Sequence, residues 1–175
     1  MSDTGQEFIS RSRYQLVEDF LPRIESCLER LTDEQIWWRP NEQSNSIGNL
    51  LLHLSGNARQ WIVCGVGGAP DLRERDAEFA QRTVITRGEL HSLLTRTLAD
   101  VDATLAQFNP NQLLERRTIQ GLEVSVLEAI LHVVEHFSMH TGQIILLTKL
   151  LTAADLHFYD CEGDTPLLHF SSSSS

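Results

Sequence analysis

The chain has no CxxC pair, no basic cluster and no long apolar run, and each absence argues against a class of function. Its three cysteines, Cys27, Cys64 and Cys161, are odd in number and far apart. That pattern fits free, buried thiols in a reducing cytoplasm better than a disulfide framework. The arginines are scattered among acids, as in Asp71-Leu72-Arg73-Glu74-Arg75-Asp76, and the net charge is -10. A polyanion finds no counterpart on such a surface, so nucleic acid is not an expected partner. No apolar stretch approaches the roughly 20 residues that cross a bilayer, and the opening MSDTGQEF lacks the basic-then-apolar order of a signal peptide. A cytoplasmic protein without membrane contact is expected. No Pro/Gly/Ser-rich linker and no internal repeat divides the 175 residues, so one domain is expected over 1–170. The run Ser171 to Ser175 can bury nothing and reads as a low-complexity tail.

What is present is helical periodicity. Four long segments carry apolar residues at a spacing near 3.6. The first places Leu16/Val17, Phe20/Leu21, Ile24, Leu28 and Leu31 on one stripe behind a possible capping box at Thr4-Gly5-Gln6-Glu7. Pro22 lies inside it and predicts a kink or break, because proline removes a donor and crowds the preceding turn. Thr32-Asp33-Glu34-Gln35 predicts a short capped turn ended by Pro40. The second long helix is expected from about Ser46 to Val63, stopping at Gly65-Val66-Gly67-Gly68-Ala69-Pro70. Those glycines lack the lysine and the preceding strand of a phosphate loop and read as a turn. A charged connection leads to the third helix, capped at Thr86 and ending at Asn109-Pro110. Arg117 to Val124 reads as a small extended or hairpin element turning at Gly121, and Ser125-Val126-Leu127-Glu128 caps a fourth helix reaching about Leu151. Four amphipathic helices without a convincing sheet make an all-α four-helix bundle the expected fold.

The chemistry lies in the histidines. On a wheel of about 100° per residue, His136 and His140 flank the apolar band of the fourth helix, formed by Ile130, Val133, Val134, Phe137, Ile144 and Ile145. An i,i+4 pair lies one side chain above the other and can chelate one ion. His132 projects toward the polar side of the wheel, and it stands eight residues from His140, about 12 Å along an intact helix, so the two cannot share an ion. A third ligand has to come from another helix. His53 is the candidate, at the border between core and solvent beside Asn57. HxxxH without the glutamate of HExxH does not resemble a zinc protease. Gln143, Glu135 and Glu128 fall near the histidine edge, with Gln143 the best placed to orient a ligand imidazole, and Asn57 and His132 are further outer groups. Trp37, Trp38 and Trp61 read as aromatics filling the bundle or walling a pocket.

The segment Ser46-Ile47-Gly48-Asn49-Leu50-Leu51-Leu52-His53-Leu54, preceded by Trp38-Arg39-Pro40, and the segment His136-Phe137-Ser138-Met139-His140-Thr141-Gly142-Gln143-Ile144 together resemble the DinB-like family of metal-binding four-helix bundles. The likeness extends from about residue 8 to 152, with Thr141 standing where an arginine is common. The resemblance implies an up-down-down-up helix order, a divalent metal on His53, His136 and His140, a cytoplasmic location and a homodimer. It also implies a class of reactions that includes thiol-dependent S-transfer to small electrophiles. Zinc, nickel and iron all accept imidazole, so the donor set selects none of them. A metal-dependent hydrolase and a non-catalytic metal-binding dimer are the alternatives. No catalytic side chain is assigned, and none of the cysteines is read as a nucleophile.

Overall fold

The computed structural model of the chain describes residues 4–156 and 158, and the backbone of Asp160–Glu162 and Thr165–Leu167. The serine tail and the side chain of Cys161 lie outside the described residues. Cys27 is free and buried, and Cys64 is free and half-buried.

The first long helix is built of α1 (Thr4–Tyr14), a π-helical stretch Gln15–Phe20 and α2 (Leu21–Leu28), which follow one another without a gap. Thr4 is already helical, so no capping box forms there ahead of the helix. The break expected at Pro22 does not occur. Pro22 stands in the first turn of α2, and the wider π turn before it lets the Leu21 N–H donate to Leu16 O, five residues back. The missing proline donor is absorbed where the helix is already locally rewound.

A one-turn helix α3 (Asp33–Ile36) follows, closed by the expected capping box between Thr32 and Gln35. The second long helix is α4 (Ile47–Ala58), extended by a π-helical stretch Arg59–Val66. Its cap is Ser46, paired reciprocally with Asn49. The glycine run behaves as a turn, with Gly67 at the helix end and Gly68 at φ +79°. The connection read as merely charged then folds into a further helix, α5 (Arg75–Ala80), with no buried residue of its own. The third and fourth long helices are α6 (Arg87–Ala106) and α7 (Val126–Thr152), each opened by the predicted capping box, at Thr86 and at Ser125. Between them Arg116–Ile119 (β1) and Leu122–Ser125 (β2) pair antiparallel. The hairpin turns at Gln120 and Gly121, both at positive φ, as a tight two-residue turn requires. Asp160–Glu162 (β3) and Thr165–Leu167 (β4) form a second antiparallel pair.

The helices pack as a bundle in which α4 contacts α6 and α7, and α2 contacts α7. Its centre is the apolar stripe read from sequence: Ile24, Leu51, Leu54, Leu94, Leu98, Val133, Phe137 and Ile144 are at most 1 % exposed. Burial of each such side chain contributes about 1.5–3 kcal/mol, which is why the stripe dictates how α4 and α7 face each other. Among the described residues no helix is long and apolar enough to cross a membrane.

Candidate metal centre

On α7 the i,i+4 spacing brings the His136 and His140 rings to 4.4 Å between centroids, edge to face. Because α4 packs across α7, His53 enters the same space. Its Nε2 lies 2.8 Å from His136 Nε2, and its ring centre is 5.4 Å from that of His140. One ligand nitrogen from each of the three histidines falls within 4.8 Å of the other two. Two lone pairs 2.8 Å apart repel unless a proton or a cation lies between them. Ligand bonds of about 2.1 Å meeting at a tetrahedral ion place their nitrogens roughly 3.4 Å apart, so small side-chain shifts separate the observed cluster from that geometry.

The far sides of two of these rings are occupied. His140 Nδ1 is 2.7 Å from Gln143 Oε1, so its N–H donates there and Nε2 is left with the lone pair. His53 Nδ1 is 2.9 Å from Glu78 Oε2. Burial of His136, reinforced by the neighbouring His140 and His53, pushes its pKa down to about 3. Burial also lowers His140, against the opposing effect of its bond to Gln143. His136 and His140 therefore offer neutral nitrogen near pH 7, and a cluster of three imidazoles suits a first-row divalent ion.

His53 is buried, 5 % exposed, and not at the border that the wheel of α4 alone predicts. The reason is α5, which folds over it. Glu78 and Phe79 of that helix reach the ring, Phe79 at 4.5 Å between centroids. Glu78 also takes two hydrogen bonds from Arg73, from Nε at 2.7 Å and Nη2 at 2.9 Å. Burial alone would raise the Glu78 carboxyl, but the bonds from Arg73 and His53 outweigh it and hold the group below its ordinary value. Glu78 and Arg73 are the residues that sequence reasoning missed. The available signal was Gly56, an unexplained glycine within an apolar helix. A Cβ at Gly56 would overlap Glu78 Oε1 and come within 2.9 Å of Arg73 Nε. Arg73 and Glu78 also line a cavity of about 380 Å³ together with Leu52, Ile85 and Leu93; none of the three histidines lines it.

The outer candidates separate. Gln143 touches His140, as above. His132 does not project into solvent as the wheel of α7 alone suggests. It is half-buried because Trp61 of the π stretch lies against it, tilted by 32° at 4.0 Å between centroids, and the Asn57 amide bonds its Nε2 at 3.1 Å. It is not among the three clustered nitrogens. Asn57 thus hydrogen-bonds His132, and its Oδ1 and the Trp61 indole N–H are buried without a protein partner. Glu135 is exposed and reaches His132 only through its charge. Glu128 is occupied by the Ser125 cap. Trp37 packs against the core and donates to Ile85 O, while Trp38 is exposed.

A helical bundle carrying three converging imidazoles on two crossing helices defines the class: a histidine-lined candidate metal centre in a DinB-like fold. The chain belongs to the family described as protein of unknown function (DUF1572), with residues 3–160 matched. Its fold is shared with a conserved protein from Enterococcus faecalis, at TM-score 0.62 and 17 % identity over 86 % of this chain and 96 % of that one. It is also shared with DinB-like proteins from Bacillus cereus, at TM-score 0.58 and 18 % identity over 77 % and 92 % of the two chains, and from Bacillus subtilis, at 0.58 and 19 % over 81 % and 94 %. At these identities the likeness concerns the fold. Comparison with curated proteins yields no match.

Proposed function

We propose that the protein is a metal-dependent enzyme in which His53, His136 and His140 hold a divalent ion, and that it transfers a low-molecular-weight thiol to small electrophiles. The observation that carries the metal is the outward tie of two rings: with Nδ1 of His53 facing Glu78 and Nδ1 of His140 facing Gln143, both Nε2 atoms are free to converge on His136. Among the described His, Cys, Asp and Glu side chains three gather there. Three ligands leave a position open, which favours catalysis over a purely structural tie. A divalent ion in such a site supplies a lowered pKa for a bound water or thiol.

The thiol reading rests on the resemblance of the two histidine segments to the DinB-like family. In the reaction the thiol sulfur forms a C–S bond to the electrophile, the leaving group departs with its electron pair, and the thiol proton passes to solvent. The test is to load the purified protein with zinc, nickel or iron and supply several cellular thiols with a chromogenic aryl halide. Turnover that needs both metal and thiol, and survives replacement of Cys27, Cys64 and Cys161 together, supports transfer. Turnover of an ester without thiol points to a hydrolase, and a metal-loaded protein inert to all of them to a binding role.

A homodimer forms part of the same proposal. Leu131, Met139, Leu146 and Leu150 are 40–65 % exposed along one face of α7, an apolar stripe of the kind that a second copy covers. Light scattering is expected to give about twice the 19.8 kDa chain mass, and Leu146→Glu to return it to the monomer. A monomer at micromolar concentration removes the dimer from the proposal.

A further inference from the structure

We propose that Glu78 is a positioning residue for the metal centre, selecting the His53 tautomer that presents Nε2 to the ion; this rests on the three-histidine reading above. An ionised carboxylate only accepts hydrogen bonds, and the Glu78 carboxylate lies 2.9 Å from His53 Nδ1. The proton of a neutral His53 ring therefore sits on Nδ1 and the lone pair on Nε2, the atom that faces His136. Arg73 Nη2 is 3.1 Å from the same Nδ1 and, as a donor, competes for a lone pair there, but the shorter contact at Nδ1 is that of the carboxylate, which only accepts. The guanidinium also serves the carboxylate, through two parallel bonds that fix the plane from which Glu78 receives His53.

The support is built into both helices. Asn49, fully buried at the start of α4, donates to the backbone oxygens of Glu78 at 2.8 Å and Gln81 at 3.2 Å, so α5 is held at its backbone independently of the carboxylate. Gly56, one turn beyond His53, leaves the volume that the carboxylate and guanidinium fill. The Glu78 and Arg73 side chains are 11 % and 5 % exposed. Little water competes for the bond, and a carboxylate behind an imidazole raises its basicity toward a cation. His140 has the corresponding acceptor in Gln143, but an uncharged one, so the charged support belongs to His53 alone among the three.

The experiment measures zinc affinity by competition with a chromophoric chelator, together with the ring-nitrogen NMR spectrum of 15N-histidine-labelled protein. It uses wild type, Glu78→Gln, Glu78→Ala, Arg73→Met and His136→Ala. Glu78→Ala is expected to weaken zinc by about 10–100-fold and to abolish the Nδ1–H pattern of His53. Glu78→Gln keeps an acceptor but loses the charge, so the pattern persists with a loss of about 3–10-fold. Arg73→Met leaves the carboxylate on His53 and costs less than Glu78→Ala. If Glu78→Ala does not fold, Glu78→Gln decides on affinity. Glu78 variants that bind within twofold of wild type, while His136→Ala does not bind, overturn the role of Glu78 alone. So does an equal loss in Arg73→Met and Glu78→Ala with the His53 pattern unchanged, which is the signature of a purely structural ion pair. A wild type that takes up no zinc, or a His136→Ala that binds as well as wild type, overturns the three-histidine reading and the role of Glu78 with it.

Discussion

The two halves of the histidine cluster are assembled by different means. The α7 half is local: His136, His140 and Gln143 lie within eight residues of one uninterrupted helix, and helical geometry alone brings them together. The half built on α4 is not local. His53 receives its partners from α5 and from Arg73, 20 to 25 residues downstream, and from Gly56, whose missing side chain makes the room. A chelating pair can be written into a helix by spacing, whereas orienting the third ring takes tertiary structure. Substitutions in the two halves are therefore expected to fail differently.

The largest effect tests the local half. His136→Ala or His140→Ala removes half of the chelate and is expected to lower zinc affinity more than about 100-fold, while His132→Ala, an outer group, stays within a few-fold. Elemental analysis of purified variants checks this, and equal metal content in all three would erase the distinction between ligand and neighbour. Next comes Gly56→Ala. A helix-interior glycine replaced by alanine ordinarily gains up to about 1 kcal/mol, but here the new Cβ displaces the Glu78 carboxylate. A net loss of about 1–2 kcal/mol in urea unfolding is expected, as for other overpacked sites.

Acid sharpens the comparison further. His136, with its pKa pushed from 6.5 down to about 3, together with the lowered His140 and His132, takes up protons less readily in the folded than in the unfolded chain. As pH falls below 6.5 the unfolded chain gains protons that the folded one does not, so metal-free stability falls with pH, by up to about 1.4 kcal/mol per pH unit for each such proton. The loss is read between pH 6.5 and 4.5, above the range of the carboxylates, and His136→Asn is expected to flatten the slope. The smallest effect is Gly142→Ala. This exposed glycine of α7 has nothing within 4 Å of its missing Cβ, so alanine there is expected to stabilise the monomer by about 0.5–1 kcal/mol. Opposite signs at Gly56 and Gly142 are the finest test of the contrast.

The same division explains what could be read in advance. The caps at Thr32, Thr86 and Ser125, the hairpin turn at Gly121 and the buried band of α7 follow from short-range rules, and all are present. The π stretches were not legible, since Pro22 signals a disturbed helix without saying that the disturbance is absorbed by rewinding. Nor was α5. Its six residues carry no apolar stripe and add none to the apolar core; they are held by Asn49, Arg73 and His53, none of them within the helix. His53 and His132 were misjudged for one reason: a wheel describes one helix, and the cover over each ring comes from another.

The separation of His53 from His136 along the chain has a topological consequence. They are 83 residues apart, so any cation held by both closes a loop of that length, in a chain whose described cysteines are free. By the chain-entropy reasoning applied to disulfides, closing a loop of this size removes about 4.5 kcal/mol of freedom from the unfolded ensemble. Such an ion acts as a reversible staple, and a chelator serves as its reductant. Heat resistance would then track metal supply, as it tracks redox conditions in proteins closed by sulfur.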